Sequence, residues 1–187
     1  MPFTFRHTEI TDVILIEPSV HADNRGFFAE TYKKTEFVKN GVPHEFVQDN
    51  HSYSEKGVIR GLHFQIWPHA QGKLVSVPSG KIFDVAVDLR TNSKTFGKWV
   101  SAILSGENRI MLWIPEGFAH GFFAIENSHV TYKITSEYEP NAERGIIWND
   151  HDIGIEWPEN SPELSGKDLK WKRFRDQVQL FKWGEEQ

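Results

Sequence analysis

Short runs of apolar and β-branched residues recur along most of the chain, separated by residues typical of turns. Several runs alternate apolar and polar positions, which is the period of a strand with one buried face. New runs begin after roughly ten residues, with little helical periodicity between them. The spacing predicts an all-β sandwich or barrel, with strands over 13–17, 27–32, 45–50, 58–65, 73–77, 82–89, 99–104, 110–114, 118–125 and 130–138, and one short helix over 35–40.

The predicted strand 58–65 carries a histidine among apolar residues. His63 has the same parity as Gly61, and a glycine within a strand often marks a place where another backbone or a ligand approaches closely. A short loop leads to a second predicted strand that carries Lys73, and another histidine lies in the segment 115–122. A base, a cation and a second histidine on neighbouring strands are suited to removing a proton next to a carbonyl group.

The predicted strand 82–89 places two acidic residues, Asp84 and Asp88, on one face, while its other face is apolar. The acids could line a polar cavity inside a barrel, or they could face solvent from an antiparallel sheet. Polar residues at matching parity on nearby strands favour the cavity.

Length and composition are those of one aromatic-rich domain. The chain has 187 residues, 13% of them aromatic, which predicts a single domain over 1–187 with a sizeable core. From about residue 158, prolines and clustered charges predict a loop-rich tail with at most one short helix near 162–172.

Charge and hydropathy argue against several classes of partner. The net charge is −5 without a basic stripe, so we do not expect nucleic acid to bind. The chain has no cysteine, which excludes disulfides and thiolate metal sites. No apolar run reaches the ~18 residues of a membrane span, and the first residues lack the apolar core of a signal peptide. We therefore expect a cytoplasmic protein without a membrane partner.

A series of short motifs along about residues 10–170 resembles the dTDP-4-dehydrorhamnose 3,5-epimerase family, a branch of the cupin superfamily. The motifs are D-N-R-G-F-F-A-E at 23–30, F-V-Q-D-N-H-S at 46–52, R-G-L-H-F-Q at 60–65, Q-G-K-L-V at 71–75, F-D-V-A-V-D-L-R at 83–90, W-I-P-E-G-F-A-H-G-F at 113–122, Y-K at 132–133, I-W-N-D at 147–150 and L-S-G-K-D at 164–168. One motif alone would be weak, whereas so many in order are specific. The resemblance implies a cupin-type jelly-roll β-barrel with a few short helices, assembled as a homodimer.

The resemblance also implies a reaction. The family inverts carbons 3 and 5 of dTDP-4-dehydro-6-deoxy-D-glucose to give dTDP-4-dehydro-β-L-rhamnose, on the route to dTDP-L-rhamnose, without a redox or metal cofactor. The protons on carbons 3 and 5 flank the ketone at carbon 4. Removing either proton therefore places negative charge on the ketone oxygen. The chemistry needs a base with a pKa near neutral, a fixed cation at that oxygen and an acid on the opposite face.

Four residues match the family's catalytic positions. By resemblance, His63 is the base, and a histidine titrates near physiological pH. Asp168 matches the partner that orients the imidazole and makes it more basic. Lys73 matches the residue that stabilises the enolate, and Tyr132 matches the donor that returns a proton from the other side.

A larger set of residues matches positions that hold the nucleotide or the sugar. These residues are Arg25, Glu30, Gln48, Asp49, Asn50, Arg60, His120, Tyr138, Glu143 and Lys167. Tyr138 matches the aromatic side chain that stacks on the thymine ring. The cationic members would supply local positive charge for a diphosphate on a chain that is acidic overall.

A metal site is the main alternative use of the histidines. The segment 115–120 resembles the second motif of metal-binding cupins, which supplies one histidine ligand. Their first motif supplies two histidines separated by one residue, where this chain has His63, Phe64 and Gln65. Two candidate ligands make a poor site, so we expect no metal and no other cofactor.

Two other functions remain open from the sequence. A related enzyme of nucleotide sugars, either a single-carbon epimerase or a ketoisomerase, would use similar residues on the same scaffold. A non-catalytic sugar-binding cupin would keep the cations but would not need Lys73, Tyr132 and Asp168 together.

Overall fold

Strands dominate the computed structural model, which describes residues 2–42 and 45–177. In chain order the strands are β1 (Phe3–His7), β2 (Ile14–Pro18), β3 (Val20–Asp23), β4 (Gly26–Ala29), β5 (Gln48–Ser54), β6 (Ile59–Gln65), β7 (Lys73–Ser79), β8 (Lys81–Asp88), β9 (Trp99–Ser105), β10 (Met111–Ile114), β11 (Phe118–Ala124), β12 (Ser128–Ile134) and β13 (Glu143–Gly145). The helical elements of the described ranges are α1 (Lys34–Lys39) and two 3₁₀ turns, Asp168–Lys170 and Phe174–Asp176. The predicted all-β class is confirmed, and none of these helices is long and apolar enough to cross a bilayer.

Most strands belong to two antiparallel sheets that face each other. One sheet has the order β1-β2-β10-β7-β12-β5 and the other has the order β13-β6-β11-β8-β9, while β3 and β4 form a separate hairpin. Neighbouring strands are often far apart in sequence; β11, for example, lies between β6 and β8. Such crossovers between two sheets are the connections of a jelly roll. The predicted cupin-type jelly roll is thus confirmed.

Apolar side chains from both sheets fill much of the interior. Val75 and Val130 of the six-stranded sheet belong to one buried cluster with Ile82 and Phe122 of the five-stranded sheet. Because successive strand residues point to opposite faces, every second residue of these strands contributes to this core. Polar residues occupy the same interior face nearer one end of the barrel, and this end contains the site described below.

The outer faces of both sheets are also covered. Phe37 of α1 packs with Phe3 and Trp113 on the outer face of the six-stranded sheet. Ile153 and Trp157, from the segment after β13, pack on the outer face of the five-stranded sheet. These covers explain why the central strands are apolar on both faces.

The two acids of the predicted strand 82–89 have different environments. β8 is buried along most of its length, so the solvent-facing alternative is wrong. Asp84 faces the interior, where one of its oxygens lies 2.7 Å from Nε2 of His120. Asp88 instead accepts hydrogen bonds from the Arg90 guanidinium at 2.8 Å and from the Thr95 hydroxyl at 2.6 Å. The cavity prediction therefore holds for Asp84, whereas Asp88 fixes the loop that follows β8.

Gly61 lies where β6 and β11 approach each other most closely. A Cβ atom added to Gly61 would lie 2.5 Å from the Cα atom of Gly121 in β11. Gly61 also has a φ of +135°, which residues with a side chain rarely adopt. The close approach predicted beside His63 is confirmed, and the approaching group is the backbone of β11.

The sequence pattern does not predict β1, β3 or β13. All four residues of β3 are exposed, so that strand has no alternation of buried and exposed positions. β13 has three residues, and it forms a strand because it pairs with β6. Both depend on partners that a local pattern does not contain.

Several predicted strands have different ends in the structure, among them 27–32, which ends at Ala29, 45–50 and 130–138. The strand predicted over 45–50 begins at Gln48, because Phe46 leaves the sheet and packs against Tyr32. The strand predicted over 130–138 ends at Ile134, and the side chain of Gln71 then donates a hydrogen bond of 2.8 Å to the carbonyl oxygen of Ser136. Side-chain contacts from elsewhere in the fold set both ends.

The described part of the tail, 158–177, contains the two 3₁₀ turns and no strand longer than a single bridge. The first turn, Asp168–Lys170, falls within the region where one short helix was expected. The second turn lies beyond that region. Residues 178–187 of the predicted tail lie outside the described residues, and a single domain over 1–187 stays a prediction.

Candidate active site

His63 and Asp168 form a hydrogen-bonded pair at the polar end of the barrel. Nε2 of His63 lies 2.6 Å from Oδ1 of Asp168, and the two side chains are 30% and 5% exposed. Burial of Asp168 favours its neutral form, but the hydrogen bond from His63 and other donors outweigh burial and hold the pKa of the carboxyl below its usual value. When Nε2 carries the shared proton, Nδ1 is the ring nitrogen that can accept another.

The fold brings this pair together from distant parts of the chain. Leu62 and Phe64 of β6 pack outward under the segment that follows β13, so His63 between them points inward. Asp168 begins the first 3₁₀ turn, where its backbone N–H donates to the Ser165 hydroxyl oxygen at 3.1 Å. The tail thus carries the carboxylate to the imidazole.

Lys73 enters the pocket from the opposite sheet. It is the first residue of β7, and its Nζ atom lies 3.5 Å from the carbonyl oxygen of His63. Burial lowers the pKa of Lys73 to about 8, although the negative charges of Asp84 and Glu143 act against the shift. The ammonium group is therefore a cation at neutral pH that loses its proton more easily than an exposed lysine.

Tyr132 also belongs to the six-stranded sheet, on β12. Burial raises the pKa of its phenol, while the positive charge of Arg60 acts in the opposite direction. The phenol therefore keeps its proton at neutral pH, as a proton donor must.

His120 has a buried acidic partner. Asp84 is fully buried, with one oxygen bound to His120 and the other, Oδ2, without a hydrogen-bond partner among the described residues. A buried carboxylate is costly without compensating charge, and the ammonium group of Lys73 provides such charge. Asp84 thus links the second histidine to the cation.

Two adjoining pockets, of about 210 and 290 Å³, lie between the sheets, and His63, Lys73 and Tyr132 line both. Most other sequence-predicted residues line one of them, namely Gln48, Asn50, Arg60, His120, Tyr138, Glu143, Lys167 and Asp168. A larger pocket of about 430 Å³ involves the outer face of the six-stranded sheet and includes neither His63 nor Lys73. The chemistry therefore identifies the site better than size does.

Three sequence-predicted residues do not line the pockets at His63. Arg25 lies on the exposed turn of the β3–β4 hairpin, where its guanidinium binds Asp23. Glu30 directly follows this hairpin. Asp49 accepts a hydrogen bond of 2.9 Å from Lys133 and lines the larger pocket on the outer face.

A hydrogen-bond network organises the mouth of the site. The Tyr138 hydroxyl donates to Oε2 of Glu143 at 2.6 Å, and the Lys167 ammonium donates to the same oxygen. Burial raises the pKa of Glu143, but these two hydrogen bonds outweigh burial and hold the pKa below its usual value. The backbone N–H of Tyr138 also donates to Gln48 at 3.1 Å. An ionised Glu143 thus holds an aromatic ring and a cation at the entrance.

Several residues of the site are absent from the sequence-based set, and two of them, Ser52 and Trp171, have polar groups in the site. The Ser52 hydroxyl lines the pocket, is buried and has no hydrogen-bond partner among the described residues. It shares the parity of Gln48 and Asn50, so alternation along β5 could have identified it. Trp171 donates its indole N–H to Oδ1 of Asp168 at 3.1 Å. No sequence signal distinguishes this tryptophan within the charged tail.

The histidines of the site are engaged by carboxylates. Within residues 2–42 and 45–177, no three His, Cys, Asp or Glu side chains are arranged to hold a metal ion. Gln65, at a position where a metal cupin would have a histidine, donates to the carbonyl oxygen of His69 at 2.7 Å. The expected absence of a metal stays a prediction.

Comparisons with known proteins agree on one family. A family model described as dTDP-4-dehydrorhamnose 3,5-epimerase matches residues 7–176. The dTDP-4-dehydrorhamnose 3,5-epimerase of Shigella flexneri is 53% identical over 171 residues, which cover 90% of this chain and 94% of that protein. A dTDP-6-deoxy-D-glucose-3,5-epimerase from Legionella pneumophila, solved in complex with dTDP-4-keto-L-rhamnose, is similar with a TM-score of 0.93 and 42% identity, covering 98% of this chain and 100% of that one. A 3'-monoepimerase from Streptomyces bikiniensis, in complex with dTDP-quinovose, is similar with a TM-score of 0.84 and 28% identity. The match covers 90% of this chain and 86% of that one.

Proposed function

Because the chain belongs to the dTDP-4-dehydrorhamnose 3,5-epimerase family, we propose that His63, Lys73 and Tyr132 carry out the family's reaction. The enzyme is an isomerase that inverts carbons 3 and 5 of dTDP-4-dehydro-6-deoxy-D-glucose and gives dTDP-4-dehydro-β-L-rhamnose. In the proposed mechanism His63 removes each proton, Lys73 stabilises the enolate and Tyr132 returns a proton from the other side. Between the two inversions His63 releases its proton to solvent and Tyr132 takes one up.

The observation that carries these roles is the placement of base and acid on opposite sheets. His63 extends from the five-stranded sheet and Tyr132 from the six-stranded sheet, and both line the same pocket. A sugar ring bound between the sheets has one face toward each residue. Inversion requires that a proton leave from one face and return to the other, so this arrangement supports epimerisation.

The ammonium group of Lys73 supplies the positive charge that stabilises the enolate intermediate. Loss of the proton creates negative charge on the oxygen of carbon 4, and a buried ammonium group stabilises such charge far better than water does. Asp168 orients the imidazole of His63 and stabilises its protonated form after each abstraction.

The mouth of the pocket suits the dTDP portion of the substrate. Arg60 and Lys167 line the pocket and supply positive charge for the diphosphate. Tyr138 exposes about half of its surface, 49%, and so presents a ring on which the thymine can stack. We propose that Glu143 holds Tyr138 and Lys167 in position for this contact.

A 3'-monoepimerase has the same fold as this chain, so the fold alone does not fix the number of carbons inverted and exchange at each carbon gives a direct test. We expect proton NMR of dTDP-4-dehydro-6-deoxy-D-glucose in deuterated water to show enzyme-dependent deuterium at both carbon 3 and carbon 5. Deuterium at one carbon only would identify a single-carbon epimerase, and a shifted ketone would identify a ketoisomerase. Binding without any exchange would support a non-catalytic sugar-binding protein.

We also propose that the enzyme is a homodimer that works in the cytoplasm. The β3–β4 hairpin exposes Phe27 and Phe28, whose exposed fractions are 59% and 66%, and aromatic side chains are enriched in protein–protein interfaces. A second subunit covering the hairpin would remove this surface from water and would place Arg25 at an interface. The cytoplasmic location is supported by the substrate, since a charged diphosphate does not cross a bilayer unaided.

Light scattering should therefore give about twice the chain mass of 21.7 kDa at micromolar concentration. Phe28→Glu should shift the protein toward a monomer, because it places a charge in the proposed contact. Ile103→Glu, which alters another exposed apolar residue, serves as the control and should leave the mass unchanged. A monomer mass for the unmodified chain would refute the dimer.

A further inference from the structure

We propose that Trp171 is a positioning residue of the active site, which holds the carboxylate of Asp168 in place and moderates its interaction with His63. The inference rests on the proposed roles of His63 and Asp168. It concerns a tryptophan in the tail that contributes no group to the reacting atoms themselves.

The contacts of Trp171 centre on one carboxylate oxygen. Its Nε1 atom donates to Oδ1 of Asp168 at 3.1 Å, and the same oxygen lies 2.6 Å from Nε2 of His63. The indole ring also stands edge-on to the imidazole, with 6.0 Å between the ring centroids and an interplanar angle of 67°. Asp168 and His63 are therefore both held against the same indole.

The indole ring of Trp171 fits where it does because residue 145 has no side chain. A Cβ atom added to Gly145 of β13 would lie 2.4 Å from the indole of Trp171, so only glycine leaves room there. Gly145 is also the residue opposite His63 in the pairing of β13 with β6. Directly after Trp171, the backbone carbonyl of Lys172 accepts a hydrogen bond of 3.0 Å from Ile147. The ring is thus fixed against the strand next to the base.

Two donors on one oxygen have a predictable electrostatic effect. The indole N–H stabilises the ionised form of Asp168 and helps to lower the pKa of that carboxyl. It also draws negative charge from Oδ1, which weakens the attraction of that oxygen for an imidazolium. Other titratable or charged groups around the pair are Glu143 on β13, Lys73 on β7, Arg60 on β6, His120 on β11, Tyr132 on β12 and Lys167 in the tail.

Loss of the indole N–H should change the pH range of activity. Without it, Asp168 takes up a proton at higher pH, and while still ionised it holds a protonated His63 more strongly. Protonation of Asp168 removes the charge that supports the imidazole as a base, and a more strongly held imidazolium leaves less free base, so both effects lower activity as pH falls. We therefore expect Trp171→Phe to move the acid limb of the kcat/KM profile to higher pH by about half to one unit, the size expected from one hydrogen bond.

The matched control is Trp157→Phe. Trp157 also donates its indole N–H, to the carbonyl oxygen of Trp148 at 2.8 Å, and it packs on the outer face of the five-stranded sheet away from the pocket. This variant should leave the acid limb unmoved. A merely structural role of Trp171 predicts an equal loss of rate at every pH, with the limb in its original position, and that result would overturn the proposal.

A second measurement covers the case in which Trp171→Phe does not fold. In the unmodified enzyme labelled with ¹⁵N-tryptophan, one indole N–H resonance should shift with pH together with the acid limb, and Asp168→Asn should abolish that shift. No indole resonance following the limb would overturn the inference. If instead His63→Ala keeps full turnover, the proposed mechanism itself fails, so the two failures are distinguishable.

Discussion

Replacement of His63 by alanine should lower the rate of solvent exchange at both carbon 3 and carbon 5 by roughly 10²- to 10⁴-fold, the usual contribution of a positioned general base. His63 is the imidazole that Asp168 orients in the pocket, and Nδ1 is the nitrogen available to accept a proton. A base acts in the transition state, so its loss reduces turnover and not the affinity of the ground state. Isothermal titration with dTDP should therefore show nearly unchanged binding.

Asp168→Asn tests the same base indirectly, through the partner of its imidazole. The amide keeps a group of similar shape beside the imidazole but loses the negative charge that stabilises its protonated form. Turnover should fall, though less completely than with His63→Ala. Full epimerase turnover in His63→Ala would overturn the assignment of the base.

Many strands of the fold follow from the alternation of apolar and polar residues along the local sequence. Alternation identifies β6 and β8 because the outer face of each strand packs under an apolar cover, while the inner face carries polar residues such as His63 and Asp84. It does not identify β3, because none of its residues is buried. The ends of β5 and β12 depend on the packing of Phe46 and on a hydrogen bond from Gln71, which are contacts from other parts of the chain.

The residues of the site also differ in how far a local sequence pattern could identify them. Parity along β6 places His63 on the face that proves to line the pocket, and Gly61 indicates a close neighbour before that neighbour is known. Asp168 lies 105 residues away from His63, so its role followed only from the family resemblance. Trp171 had no signal at all, since its importance comes from one hydrogen bond and from the missing side chain of Gly145.

Lys73→Met should lower kcat/KM by roughly 10²- to 10³-fold, the usual effect of removing one group that stabilises a developing oxyanion. Methionine is similar in length and apolar, so the buried stem keeps its packing while the charge is lost. Lys133→Met is the matched control, because Lys133 lies on the outer face and pairs with Asp49. It should leave the rate of exchange nearly unchanged.

The pH dependence of the unmodified enzyme gives an independent test of Lys73. Burial lowers the pKa of Lys73 to about 8, so the cation is present below that pH and is lost as the pH rises through it. The kcat/KM profile, which reports groups of the free enzyme, should therefore fall on the alkaline side near pH 8. Asp84→Asn should move this fall to lower pH, because the charge of Asp84 favours protonated Lys73.

Lys73→Arg separates the charge at position 73 from its titration, because a guanidinium stays charged throughout this range. It should retain part of the rate that Lys73→Met loses, and its profile should no longer fall near pH 8. If the alkaline fall persists unchanged in Lys73→Arg, another group is responsible for it. In that case the titration of Lys73 does not set the alkaline limb, and the contribution of its charge to the enolate rests on the rate that Lys73→Met loses.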